Sequence, residues 1–143
     1  MGSVDPAHAV LAVRALVRTS RILERAGGDL SLAHYRVLAA VASGEERASR
    51  LAARLALGKP TISAAVDGLC GRGLLERGEV AADQRASSLT LTPAGRAALD
   101  GAERQMTEKL GELCECSPDP ARMVEALVLL GSALDELQGR RDG

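Results

Sequence analysis

Few side chains in this sequence could make or break covalent bonds. The 143 residues include only two histidines, His8 and His34, which lie far apart and form no serine–histidine–aspartate arrangement. The sequence also lacks a glycine-rich phosphate-binding loop. We therefore expect no catalytic residues, no cofactor and no enzymatic activity.

The three cysteines, Cys70, Cys114 and Cys116, are the remaining candidates for metal or redox chemistry. An odd number does not form a disulfide framework and agrees with a reducing, cytoplasmic location. Cys114 and Cys116 are two residues apart, so on a helix they diverge by about 200°, and no further ligand lies nearby. We predict no metal site, and a structural role for Cys70 in an apolar setting.

A different kind of site is indicated by small and polar residues at the start of the predicted fourth helix. A helix that enters the major groove of DNA, which is about 12 Å wide, needs outward residues that are small or form hydrogen bonds. The outward residues here are Lys59, Thr61, Ser63 and Ala64. Ile62, Val66 and Leu69 are predicted to face the core.

The elements that position these residues follow from periodicity and capping signals. Helices are predicted over residues 7–26, 31–44, 49–57, 59–73, 92–116 and beyond 120, with Ser31, Ser49 and Thr92 as N-caps. Segments 74–77 and 87–91 predict two strands joined by a polar loop around Asp83. Two short helices followed at once by a hairpin are typical of a winged helix-turn-helix.

At this point the sequence resembles the MarR family. The resemblance covers roughly residues 31–100 and lies in segments 51–55, 57–63, 72–77, 83–85 and 89–95, which read LAARL, LGKPTIS, RGLLER, DQR and LTLTPAG. It implies a homodimeric, often repressing protein that binds a pseudo-palindromic operator in double-stranded DNA. The fold class is then mainly α with a small β-hairpin wing: a winged helix-turn-helix with N- and C-terminal dimerisation helices.

The resemblance also implies roles for residues of the wing. Arg85 corresponds to an arginine that enters the minor groove, and Asp83 to an aspartate that orients the loop, which agrees with the attraction of a narrow groove for a guanidinium. Gln84 and Ala64 stand where basic residues are common in the family. The complete predicted DNA-binding set is Ser49, Lys59, Thr61, Ser63, Ala64, Arg72, Arg77, Asp83, Gln84 and Arg85. Asp67 is expected to orient Lys59 or Arg72.

Many members of the family release DNA when a small anionic or aromatic compound occupies a crevice beside the dimerisation helices. The residues proposed here for such a ligand are Arg14, Arg18, His34 and Tyr35, since paired arginines bind carboxylates and a tyrosine offers stacking. The alternative is a solvated arginine face beside a half-buried tyrosine.

The predicted elements and the resemblance divide the chain into three parts. Residues 1–30 are predicted as an N-terminal dimerisation helix, 31–96 as the DNA-binding region and 97–143 as C-terminal dimerisation helices. The net charge of −1 hides +2 over residues 1–44, +2 over 45–96 and −5 over 97–143. A mildly basic centre permits phosphate contacts, and no apolar run approaches the length of a membrane span.

Two alternatives to this function stay open: a protein-interaction module without DNA binding, and a thiol- or metal-responsive repressor.

Overall fold

The computed structural model describes residues 2–45, 47–80 and 83–143, and the description excludes the side chains of residues 79, 80, 83–87 and 142. Within those ranges six helices and one hairpin follow one another along the chain. They are α1 (Pro6–Ala26), α2 (Leu32–Ala42), α3 (Ala48–Leu55), α4 (Lys59–Gly71), β1 (Leu75–Val80), β2 (Asp83–Leu91), α5 (Pro93–Glu115) and α6 (Pro120–Asp142). The predicted fold class is confirmed in its helix-and-wing architecture.

The core lies where α2, α3 and α4 pack against one another, against the hairpin and, through α2, against α5. The predicted inner side of α4 is confirmed, because Ile62, Val66 and Leu69 are all buried. Leu38 of α2 and Leu51 of α3 are fully buried opposite them. Burial of these aliphatic side chains is the main force that holds the two short helices of the helix-turn-helix together.

Local signals set the ends of these helices. The Ser31 hydroxyl accepts a hydrogen bond from the His34 amide at the start of α2, as expected of an N-cap. At the end of α4, the Gly73 amide donates to the Cys70 carbonyl and the Leu74 amide to the Leu69 carbonyl. Gly73 has a φ of 72°, so the chain leaves α4 through the glycine-dependent Schellman turn.

The start of α3 differs from the prediction. Ser49 lies inside the first turn, and the N-cap is Arg47, whose side chain makes no capping bond. The backbone of Arg47 forms an isolated bridge with Ser88 of β2. Because this pairing keeps the chain extended only as far as Arg47, the helix begins at Ala48, before Ser49 could act as its cap.

The hairpin is longer than predicted. Its antiparallel register pairs Leu75 with Leu91 and Arg77 with Leu89, and it continues to Val80 and Asp83. Asp83 is therefore the first residue of β2, and its placement in a joining loop was wrong. Residues 79–86 read EVAADQRA and show no period-two alternation, yet the backbone ladder continues to Val80 and Asp83.

The connection from the hairpin to α5 is confirmed as predicted from the sequence Thr92-Pro93. The Thr92 hydroxyl oxygen accepts from the Gly95 amide at 2.9 Å and donates to the Gly73 carbonyl at 2.6 Å. Gly95 is buried so close to the preceding loop that a Cβ atom there would lie 1.9 Å from the Leu74 carbonyl oxygen. Only glycine fits at this contact.

The terminal helices carry large apolar side chains that the single chain leaves exposed. On α1 these are Val10, Leu11, Val13, Leu16 and Val17, and on α6 they are Met123, Val124, Val128, Leu129, Leu130, Leu134 and Leu137. The inner side of α5, in contrast, is buried at Leu99, Ala102 and Met106. Among the described residues, no helix is long and apolar enough to cross a membrane.

Candidate nucleic-acid interface

The outer side of α4 has the character predicted for a recognition helix. Lys59, Thr61, Ser63 and Ala64 are all exposed. Pro60 occupies the first turn, where its missing amide hydrogen costs no helical bond. The helix thus presents one ammonium group, two hydroxyls and a methyl group on a surface with no bulky side chain, which suits hydrogen bonding to base edges and phosphates.

Three of the predicted residues meet at one shallow cleft between α3 and α4. Ser49, Lys59 and Ser63 line it together with Ala48, Ala52 and Ile62, and its volume is about 270 Å³. Ser49 reaches this cleft because it lies in the first turn of α3, beside the first turn of α4. The arrangement offers two hydroxyl groups and one ammonium group to an anion.

The two predicted phosphate contacts Arg72 and Arg77 are engaged within the protein. Arg72 donates from Nη1 to the Asp29 carbonyl oxygen at 3.3 Å. Arg77 forms an ion pair with Asp67 of α4, and the hydrogen bond to Asp67 raises the pKa of Arg77 above its ordinary value. Asp67 therefore pairs with Arg77, and not with Lys59 or Arg72 as expected. Nothing in the residue types alone indicated this partner.

The wing residues Asp83, Gln84 and Arg85 lie at the start of β2, on the strand that follows the hairpin tip. Their side chains are outside the described residues, so their predicted contacts with the minor groove stay predictions. The backbone places all three at the end of the hairpin distant from α5.

The structure does not bring the four predicted ligand residues into one crevice of the single chain. Arg14 and Arg18 are exposed on α1. His34 packs beside Gly68 of α4, where burial, followed by the charge of Arg72, lowers its pKa below 6.5. Tyr35, the next residue of α2, contacts α5 through Glu103.

Tyr35 has a defined environment of its own. Its hydroxyl donates to Glu103 Oε1 at 3.1 Å. Burial, and then the charge and hydrogen bond of Glu103, raise the pKa of Tyr35 to about 12. Tyr35 also lines a crevice of about 330 Å³ between α1, α2 and α5, together with Leu23, Leu32, Glu103, Met106, Thr107 and Leu110.

The cysteines lie in three separate environments. Cys70 is half-buried, Cys114 is buried and Cys116 is exposed. Cys114 and Cys116 thus differ in burial, as expected for residues two apart on a helix. Among the side chains that the structure describes, no group of three histidine, cysteine or acidic residues is arranged to hold a metal ion.

Comparison of the sequence with family models finds one described as MarR family, which matches residues 28–86. The matched segment runs from the loop before α2 into the start of β2, and it includes every predicted DNA-binding residue. A comparison with curated proteins finds no match.

Solved structures with the same fold cover nearly the whole chain. A MarR-family transcriptional regulator from Rhodococcus sp. RHA1 is 22% identical, with a TM-score of 0.75 over 95% of this chain and 96% of that one. Wild-type apo MarR from E. coli is 20% identical, with a TM-score of 0.73 over 93% of this chain and 98% of that one. A mutant E. coli MarR in complex with operator DNA is 20% identical, with a TM-score of 0.66 over 87% and 96%.

The family match and the fold agree with each other. The matched segment contains the helix-turn-helix and the start of the wing, and the solved MarR-family regulators share the order of helices around it. The prediction that the chain is not an enzyme is supported by the same findings, since the family consists of transcription regulators. Residues 28–86 of this chain therefore match the MarR family, and the chain has the winged helix-turn-helix fold of the solved MarR-family regulators.

Proposed function

We propose that this chain is a homodimeric transcription regulator that binds a pseudo-palindromic operator in double-stranded DNA. The observation that carries the proposal is the outer side of α4, where Lys59, Thr61 and Ser63 are all exposed. A major groove accepts such a helix, and the cleft at Ser49 offers a place for a backbone phosphate. Binding of a related MarR to operator DNA supports the same role here.

Dimerisation is supported by the surface area of the chain. The structure exposes 10039 Å², whereas a compact monomer of 14.8 kDa exposes about 7,000 Å². The excess of about 3,000 Å² on one chain indicates terminal helices that the single chain leaves uncovered, and obligate homodimers bury about 2,000–5,000 Å² or more, counted over both partners. Because the exposed apolar side chains lie on α1 and α6, these helices are the proposed interface. Two copies would then read two half-sites about one helical turn apart.

We further propose that the protein represses transcription and that a small molecule releases it from DNA. The crevice beside Tyr35 is the candidate effector site, because it lies between α1 and α5 on one side and α2 of the DNA-binding region on the other. An occupant could change the angle between the dimer helices and α4. The test is a titration of operator complexes with small aromatic acids, alcohols and amines: release by none of them would remove this crevice as the effector site.

The main proposal is tested by fluorescence anisotropy of the purified protein with duplex DNA. The duplexes are the protein's own upstream DNA and an unrelated sequence, measured over a salt series, with the Lys59→Ala/Arg85→Ala double variant alongside. We expect specific binding about 10³-fold tighter than non-specific binding, and loss of that preference in the double variant.

The opposite result also has a clear meaning. Equal, weak binding to both duplexes, repeated with duplexes selected from a random pool, would contradict sequence-specific regulation. It would favour an interaction module that has kept the winged fold. A variant that dimerises normally but binds no DNA would show that α4 and the wing, and not the dimer helices, carry the contact.

A further inference from the structure

Arg77, one of the predicted DNA contacts, forms an ion pair with Asp67 that joins two parts of the proposed interface. Asp67 is on α4, the proposed recognition helix, and Arg77 is on β1 of the hairpin. Their side chains keep exposed fractions of 64% and 48%, respectively. Exposed ion pairs contribute little to global stability because solvent screens them, so the effect of this pair is local, on the position of β1 relative to α4.

The strand register explains why Arg77 turns towards α4. In an antiparallel pair, directly opposite residues project from the same face of the sheet. Arg77 lies opposite Leu89, and Leu75, on the same face of β1, lies opposite Leu91. Leu75 and Leu89 are almost completely buried. Arg77 is therefore on the inner face of the hairpin, and its guanidinium reaches Asp67 at the edge of that face.

The ion pair lies further from the base of the hairpin than Leu75, which is buried. At the base of the hairpin, Thr92 donates from its amide to the Leu74 carbonyl at 3.2 Å and from its hydroxyl to Gly73. Among the residues of β1 whose side chains are described, Leu75 is the last buried one, and the next residues, Glu76, Arg77 and Gly78, are exposed. Among the described side chains, the contact between Arg77 and Asp67 is thus the outermost link between β1 and α4.

We infer that Asp67 and Arg77 are positioning residues that hold the wing at a fixed distance from the recognition helix, and that Arg77 is not a phosphate contact. A carboxylate beside a guanidinium cancels most of its attraction for a phosphate. The ion pair between the two side chains also fixes the position of the rest of the hairpin relative to α4. A protein that contacts DNA through both a helix and a wing discriminates between sequences only when both contacts fit at once. The ion pair would therefore set operator specificity. This inference rests on the proposed DNA-binding function.

The test compares four proteins with the wild type: Asp67→Asn, Arg77→Gln, the double variant, and the matched control Glu76→Gln. Asp67→Asn and Glu76→Gln each remove one negative charge from the same region, but only the first breaks the ion pair. Two quantities are measured: the preference for operator over unrelated duplex with its salt dependence, and amide hydrogen exchange of residues 75–78 without DNA.

If the pair holds the wing, Asp67→Asn and Arg77→Gln each lower the preference for operator by about fivefold, and the double variant is no worse than either one. The salt slope stays at the wild-type value, amides of β1 exchange faster, and Glu76→Gln changes neither quantity.

Two results would overturn the inference. If Arg77→Gln reduces the salt slope by about 0.9 while Asp67→Asn tightens binding as Glu76→Gln does, Arg77 contacts a phosphate directly. If amide exchange of β1 is the same in all variants, the pair does not hold the hairpin. The exchange measurement is independent of DNA, so it decides on the ion pair even if the wild type prefers no duplex and the proposed function fails.

Discussion

At the scale of single residues, Gly95 shows how a close approach of two backbone segments can restrict a position to one residue type. Its Cα faces the Leu74 carbonyl, where the base of the hairpin meets the first turn of α5. We expect Gly95→Ala to lower the free energy of unfolding by about 1–3 kcal/mol, because the methyl group would overlap backbone atoms that cannot move aside freely. Urea unfolding at equal protein concentration measures the change.

Gly101→Ala is the matched control for that substitution. Gly101 lies on the same helix, and a Cβ atom there would meet nothing within 4 Å. Replacing a helical glycine by alanine should then stabilise the protein by up to about 1 kcal/mol. Equal effects of both substitutions would show that the contact with Leu74 does not restrict position 95.

Tyr35 allows a second prediction at this scale, because it is the only tyrosine of a chain without tryptophan. Its pKa is about 12 in the folded protein and 10.0 in the unfolded reference. The folded state therefore holds the proton more tightly, so the contribution to stability is complete below pH 10 and is lost as the pH rises towards 12. The ultraviolet absorbance of tyrosinate follows this titration directly.

Glu103→Gln separates the causes of that shift. The variant removes the carboxylate charge, and the midpoint should fall but stay above 10.0, because burial is the largest cause and persists. Glu108→Gln on the same helix is the control and should leave the midpoint unchanged. A midpoint that does not move in Glu103→Gln would contradict the contact between the two side chains.

At the scale of elements, the turn between α3 and α4 is closed by an unusual residue. Ala56 caps α3 with a φ of 52°, in the left-handed region that costs a non-glycine residue about 1–2 kcal/mol. Ala56→Gly removes this cost and adds chain entropy of about 0.5–1 kcal/mol in the unfolded state. We expect a net stabilisation of about 0.5 kcal/mol in thermal or urea unfolding.

The control for the turn is Ala53→Gly within α3, where the helical φ gives glycine no advantage. That substitution should destabilise by about 1 kcal/mol. The Leu55 carbonyl at the same helix end accepts from Arg36 Nη2 at 2.5 Å, so the turn is also held from α2. If Ala56→Gly were as destabilising as Ala53→Gly, the left-handed conformation would not be the feature that limits this turn.

At the scale of the whole molecule, the apolar side chains of α6 predict how the protein assembles. Leu134 is 52% exposed in the single chain, which is unfavourable for a residue of this type in a patch of similar neighbours. Leu134→Glu would place a charge in the proposed interface and should shift the protein from dimer towards monomer. Sedimentation over a range of concentrations measures the shift, with loss of operator binding as the consequence.

Ser132→Glu introduces the same charge on the same helix, about 200° around the axis from Leu134. It should leave the dimer intact. Dissociation in both variants would indicate a general effect of charge on α6, and dissociation in neither would contradict an interface formed by this side of the helix.

Local sequence signals were enough to locate the helices and the hairpin and to distinguish the buried side of α4 from its exposed side. Periodicity identified Ile62, Val66 and Leu69 as the inner side of α4. It therefore also predicted that Thr61, Ser63 and Ala64 lie on the exposed side. Capping at Ser31 and Thr92 was also readable, since a cap depends on residues within one turn of itself. Local interactions of this kind require no knowledge of the fold.

Tertiary structure decided which distant groups meet. Ser49 is not the predicted cap of α3, because Arg47 pairs with Ser88. Arg77 faces Asp67, because the inner face of β1 packs against α4. Arg72 donates to the Asp29 carbonyl. His34 packs against α4 and Tyr35 contacts α5, although the two residues are neighbours in sequence. The physical reason is that long, flexible side chains take whichever oppositely charged or hydrogen-bonding partner the packed backbone brings within reach, and sequence spacing does not encode that distance.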